Sequence, residues 1–318
     1  MAEMQFEDNV SVIIRRCMNI QHDEGVLIIA DSNTRNIGDA LLKAAEKVTS
    51  RVKYTEIPVG KVHGEEPDDE VAEEMLDFDV VLIATTKSIS HTKARRDASS
   101  NGVRIASMPG INESMINRCI DVDYDSIKIL NEKLKSILEK AEKIRVTTAF
   151  GTDVSTSLSV VKCDDTGLLH EKGSFGNLPA GEVDSGVKED STNGVIVFDA
   201  SISGIGGLDS PLKINVRNGY AVSIEGKESE RLKRILDNIG KKAYKIAEFG
   251  IGTNPKATIT GRILEDEKVL GTAHFALGND LSYKGNNDVP VHLDGIMTKP
   301  TIYIDDKKIM EDGKLILD

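Results

Sequence analysis

The chain has 318 residues and carries 40 Lys and Arg against 52 Asp and Glu, a net charge of −12. This length predicts about two domains, and 39% hydrophobic with 29% charged residues is typical of a globular protein. An acidic chain without a basic run argues against nucleic acid as a partner. An aromatic content of 4% without tryptophan argues against platforms for stacking bases.

Two further classes of protein are disfavoured. No segment approaches the run of about 18 apolar residues that a membrane helix needs, and the acidic N-terminus is unlike a signal peptide. The cysteines at positions 17, 119 and 163 are odd in number and widely spaced, which is typical of reduced thiols rather than of a disulfide framework. We therefore expect a cytoplasmic protein without a membrane partner.

The first part of the chain alternates between strand-like and helix-like segments. Strands are predicted at residues 26–30, 52–59, 79–84 and 103–106. Helices are predicted at residues 37–48, 65–76, 92–99 and 125–143. This order predicts an α/β domain over residues 1–144, with a parallel sheet and helices on both of its faces.

The second part is rich in short alternating runs separated by turn dipeptides. Asn218-Gly219, between two such runs, predicts a β-hairpin, and one helix is predicted over residues 227–246. We expect residues 145–318 to form an α+β domain with a curved, barrel-like, mainly antiparallel sheet, and this domain holds the candidate metal-binding and catalytic residues.

Two acids stand next to turn residues in this second part. Glu182 follows Pro and Gly in the segment NLPAGEV, which predicts a shaped loop, and Glu248 lies in AEFGIGTNP between an apolar helix and a glycine-rich turn. The pair Gly250-x-Gly252 lacks the third glycine of a dinucleotide-binding loop and does not follow a strand, so that function is not expected.

Two histidines complete the candidate set. His274 lies among small and apolar residues, and His292 and Asp294 point to the same face of a strand because side chains alternate with period two. Each residue alone is more often structural. Together with Glu182 and Glu248, they suit one or two divalent ions of zinc, cobalt, manganese or iron.

In the segments that carry these candidate ligands, the chain resembles the thermophilic metallo-aminopeptidases, a family that includes aminopeptidases T and S. The segments NLPAGEV, AEFGIGTNP, HFALG and VHLDG occur in the family's order. The resemblance implies that two zinc, cobalt or manganese ions bind Glu182, Glu248, His274, His292 and Asp294. It also implies a homodimeric exopeptidase that hydrolyses the N-terminal residue of small peptides with a metal-activated hydroxide.

The catalytic residues depend on which relative is followed. The family's catalytic tyrosine falls on Leu281 here, and the nearest tyrosine is Tyr283, so Tyr283 and Glu182 are the catalytic candidates for peptide hydrolysis. The same superfamily includes 2,5-dihydroxypyridine dioxygenase. This alternative implies one Fe(II) held by two histidines and one aspartate, with His91 as a candidate base. A non-catalytic protein that binds a metal or a small ligand is the third alternative.

Overall fold

The computed structural model describes residues 2–162 and 165–317, which form two compact units. The first unit comprises Met1–Tyr124 and Asp165–Ala180, and the second comprises Asp125–Asp164 and Gly181–Asp318. The domain boundary at residue 144 stays a prediction beside this division, and Cys163 lies outside the described residues. No helix in the described ranges is long and apolar enough to cross a membrane.

Residues before position 124 alternate between strands and helices. The strands are β1 (Val26–Asp31), β2 (Val52–Ile57), β3 (Val80–Ala84) and β4 (Arg104–Ser107). The helices are α1 (Ala2–Val12), continued by a π-helical turn (Ile13–Cys17), α2 (Arg35–Glu46), α3 (Asp69–Glu74), continued by a 3₁₀ turn (Met75–Asp77), α4 (Lys93–Ser100) and α5 (Glu113–Cys119). Strands β1 and β3 are buried along their whole length, which explains their unbroken apolar sequence.

The rest of the chain is dominated by strands. They are β5 (Ile144–Thr147), β6 (Asp153–Thr156), β7 (Leu158–Lys162), β8 (Phe175–Asn177), β9 (Glu182–Val187), β10 (Asn193–Phe198), β11 (Ser201–Ile202), β12 (Gly206–Gly207), β13 (Leu212–Arg217), β14 (Tyr220–Glu225), β15 (Ile246–Gly252), β16 (Thr272–Gly278), β17 (His292–Thr298), β18 (Thr301–Ile304), β19 (Lys307–Glu311) and β20 (Lys314–Leu315). The helices are α6 (Tyr124–Leu138), α7 (Ser229–Asp237) and α8 (Ile263–Asp266), with 3₁₀ turns at Lys241–Tyr244 and Leu281–Tyr283.

The first unit is built on one parallel sheet, as predicted. Its strand order is β2-β1-β3-β4-β8. Strand β8 pairs in parallel with β4 although the second unit supplies the three strands between them in the sequence. The sequence analysis missed β8 because its three residues carry too little pattern to indicate a strand.

The second unit contains two mainly antiparallel sheets, which confirms the predicted strand-rich α+β architecture. One sheet has the order β14-β13-β10-β6-β5-β18-β19-β20 and the other has the order β12-β11-β17-β16-β15-β9-β7. Neither sheet is closed, so the domain is not a complete barrel. Apolar side chains of both sheets form one core, which includes Val146, Phe198, Phe249 and Phe275. The predicted hairpin at Asn218-Gly219 joins β13 to β14.

The helix predicted over residues 227–246 is wrong in its second half. Helix α7 ends at Asp237, and Gly240 adopts a φ of +103°, a conformation that L side chains avoid. The chain then makes a 3₁₀ turn and enters β15 at Ile246. Glu248 therefore lies on a buried strand and not in a turn after a helix.

Candidate metal centre

Four adjacent strands of one sheet carry the candidate ligands. Glu182 opens β9, Glu248 lies on β15, His274 lies on β16, and His292 and Asp294 lie on β17. These strands are neighbours in the order β17-β16-β15-β9. The ligands share one face, called here the ligand face, while Phe249 and Phe275 turn to the apolar core.

Small residues lie opposite each ligand across the sheet. Glu182 pairs with Gly252, His274 with Gly250, and His292 with Gly278. Ala276 lies between Glu248 and Asp294 in one row of cross-strand partners. Because paired positions on one face are within side-chain contact distance, these small residues leave room for large polar side chains.

Gly250 shows how tight this requirement is. A Cβ atom at this position would lie 2.1 Å from His274 Nε2, so any side chain would displace the imidazole. Gly250 is thus explained by packing against His274 and Gly252 by the close approach of the main chain of residues 267–269, so no nucleotide needs to be invoked.

A β-bulge brings Glu248 onto the ligand face. Ile246 pairs with Leu277 and Glu248 pairs with Ala276, so β15 advances two residues while β16 advances one. Regular pairing would place Glu248 opposite Phe275, on the core side. The extra residue reverses this orientation, as bulges near functional sites commonly do.

The five predicted ligands meet in the structure. Glu248 spans both imidazoles, with Oε1 3.2 Å from His274 Nε2 and Oε2 2.7 Å from His292 Nε2. Asp294 Oδ1 is 3.4 Å from His292 Nε2, and Glu182 Oε2 is 3.6 Å from His274 Nε2. The five side chains predicted from the sequence therefore form one cluster, in which His274 and Glu248 are buried and the other three are partly buried.

The tautomer of His292 suits a metal ligand. Its Nδ1 lies 2.8 Å from the carbonyl oxygen of Asn279, which can only accept a hydrogen bond, so Nδ1 donates. In the neutral ring, Nε2 then presents a lone pair toward carboxylate oxygens of Glu248 and Asp294. Either a proton or a metal ion must lie between these atoms.

The cluster attracts protons strongly. Burial alone would lower the pKa of His274, but Glu248 and Glu182 outweigh it and raise that pKa to about 9. Burial likewise opposes the charge on His292, yet Asp294 and Glu248 hold its pKa well above the usual range. Burial would raise the pKa of Glu248, but the imidazoles hold it well below the usual range. A cation that binds here takes the place of these protons.

These observations fit a divalent metal. One ligand atom from each of Glu248, His292 and Asp294 lies within 4.8 Å of the others, and His274 joins them through Glu248. Imidazole nitrogens with carboxylate oxygens suit iron, zinc and manganese. The described residues thus contain a candidate metal site.

The sequence analysis missed a lysine beside this cluster. Lys268 is only 1% exposed, and its ammonium lies 2.5 Å from Glu182 Oε1 and 2.9 Å from Glu267 Oε1. Burial is the main cause that raises the pKa of Glu267, to about 7, while Lys268 acts to lower it. No local pattern marks Lys268, because its position depends on a contact between distant segments.

The predicted catalytic residues outside the cluster have different surroundings. The Tyr283 hydroxyl donates a hydrogen bond of 2.5 Å to Asp184 Oδ2, and burial raises the pKa of this phenol well above its usual range. Leu281 opens the same 3₁₀ turn and is partly exposed. His91 is exposed in the first unit, just before α4, and its catalytic role stays a prediction.

Comparison with known proteins gives a consistent set of similarities. The family model of 2,5-dihydroxypyridine 5,6-dioxygenase matches residues 9–317. The 2,5-dihydroxypyridine 5,6-dioxygenase of Pseudomonas putida KT2440 is 23% identical in an alignment of 255 positions that covers 74% of this chain and 71% of that protein.

Two solved structures share the fold. The structure of 2,5-dihydroxypyridine dioxygenase from Pseudomonas putida KT2440 matches 99% of this chain and 98% of its own, with a TM-score of 0.86 at 18% identity. Wild-type AmpT from Thermus thermophilus matches 99% of this chain and 100% of its own, with a TM-score of 0.75 at 15% identity. The resemblance to aminopeptidase T is thus confirmed for the fold.

The predicted activity is wrong. A metallo-aminopeptidase, a hydrolase that removes N-terminal residues from peptides, is contradicted because both the family model and the curated relative are dioxygenases. The error arose because imidazole and carboxylate ligands serve both kinds of chemistry, so the ligand residues alone do not separate them. The homodimer stays a prediction. With a match that spans residues 9–317, the chain belongs to the 2,5-dihydroxypyridine 5,6-dioxygenase family.

Proposed function

We propose that this protein is an Fe(II)-dependent dioxygenase that opens the ring of 2,5-dihydroxypyridine or of a closely related hydroxylated nitrogen heterocycle. The observation that carries the proposal is the family match over residues 9–317, which includes the whole ligand face. In such a reaction the bond between ring carbons 5 and 6 breaks and both atoms of dioxygen enter the open-chain product.

The ligand face supplies a suitable set of groups for iron. His274, His292 and Asp294 would hold the ion as two imidazoles and one carboxylate, an arrangement that leaves positions open. Bound Fe(II) would supply the electron transfer that allows dioxygen to react with an aromatic ring.

Nearby side chains have separate tasks in this proposal. Glu248 lies between the two imidazole Nε2 atoms and would hold both rings in position. The Asn279 carbonyl fixes the tautomer of His292. The Tyr283 phenol, whose pKa is raised by burial, stays protonated and is oriented by Asp184.

Oxygen uptake tests the proposal. The protein is loaded anaerobically with Fe²⁺, mixed with 2,5-dihydroxypyridine and exposed to dioxygen. We expect one dioxygen consumed per ring opened, with activity that depends on Fe²⁺ and disappears with a chelator. Leucine p-nitroanilide serves as the control substrate and should not be hydrolysed. A protein that binds one equivalent of Fe²⁺ and leaves the ring intact would contradict the proposal.

A further inference from the structure

The Lys268 ammonium and the His274 imidazole contact different oxygens of the same carboxylate, that of Glu182. The carboxylate of Glu182 faces His274 with Oε2, at 3.6 Å, and faces the Lys268 ammonium with Oε1, at 2.5 Å. Glu248 stands on the other side of His274 and reaches on to His292. The cluster therefore has a metal-type half around His292 and Asp294 and an ammonium-containing half around Glu182.

The main chain at Gly252 allows the segment that carries Lys268 to approach β15 closely. A Cβ at Gly252 would lie 2.2 Å from the carbonyl oxygen of Val269 and 2.8 Å from that of Glu267. Only a glycine in β15 lets residues 267–269 approach so closely. The contact is reinforced by Asn254, whose backbone N–H donates to the Lys268 carbonyl at 2.8 Å. Main-chain contacts thus hold the backbone of Lys268 in place, and two carboxylates hold its ammonium.

From this geometry we infer that the Lys268 ammonium replaces a second metal ion and limits the ligand face to one divalent ion. A second ion would need the Glu182 carboxylate as a ligand, beside His274. It would then share the Glu182 carboxylate with the ammonium, and the two positive charges would repel each other in a buried site. Lys268 is a positioning residue in this role, because it acts through Glu182.

This inference rests on the proposed one-iron function and deepens it. Imidazole and carboxylate ligands can hold one divalent ion or two, and Lys268 is the structural feature that decides between them here. The inference pairs Glu182 with the lysine, so that His274, His292 and Asp294 remain to hold the single ion.

Manganese stoichiometry provides the test, because Mn²⁺ is stable in air and its free form is measured by electron paramagnetic resonance. The full chain is titrated with Mn²⁺, and the bound metal is confirmed by elemental analysis after dialysis. Wild-type protein should bind one ion per chain even with a tenfold excess of Mn²⁺. Binding of two ions by the wild type would overturn both the inference and the one-iron function.

Three variants separate the role of the lysine from a general structural effect. Lys268→Met removes the charge at similar volume and should raise the stoichiometry from one to two. Lys268→Arg keeps the charge and should stay at one. Adding Glu182→Gln to Lys268→Met should return the stoichiometry to one, because the second ion loses its carboxylate.

Lys245→Met is the matched control. Lys245 is also buried and pairs with Asp280 at 2.9 Å, so its loss tests the effect of removing a buried lysine as such. The control should still bind one Mn²⁺. A folded Lys268→Met that binds one ion, or a Lys268→Arg that binds two, would overturn the inference. Such a result with ring opening intact in the wild type would leave the proposed function standing.

Discussion

The two units bury carboxylates among different kinds of partner. In the first unit, Asp31 at the end of β1 accepts hydrogen bonds from the backbone N–H groups of Asn33 and Thr86 and from the hydroxyls of Thr34 and Thr86. In the second unit, Glu248 and Asp294 face imidazole nitrogens. Neutral donors fix a carboxylate permanently, whereas a protonated imidazole can exchange its proton for a metal ion. The comparison assigns Asp31 to stability and the ligand face to chemistry.

We expect the largest effect from removing a candidate metal ligand of the second unit. His292→Ala removes an imidazole that faces both carboxylates, so metal affinity should fall more than about 100-fold and ring opening should be lost. Metal binding is measured by Mn²⁺ titration. The control is His22→Ala, which removes an exposed histidine of the first unit. Unchanged metal affinity in His292→Ala would remove His292 from the site.

Gly250→Ala tests the packing behind the ligand face. The added methyl group would lie 2.1 Å from His274 Nε2 and must push the imidazole aside. We expect metal affinity to fall about 10–100-fold, comparable to the loss of an outer-shell partner. At Gly60 a methyl group would meet the Lys87 and Glu65 side chains, at 3.2 Å or more, so Gly60→Ala is the control. Equal affinities for the two variants would disprove the steric argument.

Asp31→Ala should lower the stability of the first unit and leave metal binding unchanged. It leaves the partly buried donors of Thr86 without an acceptor and should lower the free energy of unfolding of the first unit by about 1–3 kcal/mol. Mn²⁺ stoichiometry and affinity should not change. Thermal unfolding measures the loss, and Asp39→Ala, at an exposed position of α2, is expected within about 0.5 kcal/mol of wild type. Loss of metal binding in Asp31→Ala would break the division between the two units.

The smallest expected effect is the reactivity of the Cys17 and Cys119 thiols in the folded protein. Burial raises the pKa of Cys17 to about 12, so at pH 8 it is almost entirely in the protonated, unreactive form. Cys119 is also buried. A disulfide reagent should therefore label neither thiol in the folded protein and both in denaturant, as judged by peptide mapping. Rapid labelling of native Cys17 would contradict its burial.

Much of the fold could be predicted because it depends on local patterns. Buried parallel strands appear as apolar runs such as β1 and β3, and the hairpin at Asn218-Gly219 has a short-range turn signal. The end of α7 could not be predicted equally well. Its apolar spacing continues past Asp237, and the chain leaves the helix where Gly240 takes a positive φ.

The candidate site was predictable in its ligands but incomplete in its supporting residues. His292 and Asp294 lie two apart on a strand, so their shared face follows from the sequence. Lys268 reaches Glu182 only through a contact of residues 267–269 with Gly252, which no local pattern records. The small residues opposite each ligand could have been found only once the strand pairing was known.

The activity could not be chosen from the ligands alone. Imidazoles and carboxylates in this order serve both metal-activated hydroxide and oxygen chemistry. What distinguishes the two in this chain is the family match over residues 9–317, which is not a property of the ligand segments.

Labelling with ¹⁸O₂ tests the central claim most directly. Fe²⁺-loaded protein is mixed with 2,5-dihydroxypyridine under ¹⁸O₂ in ordinary water. The mass of the product is measured by mass spectrometry before its oxygens exchange with water. For a ring-opening dioxygenase, we expect a product in which two ¹⁸O atoms replace two ¹⁶O atoms of the product formed under ordinary dioxygen. A ring-opened product whose added oxygen comes from water, without any ¹⁸O, would contradict the account.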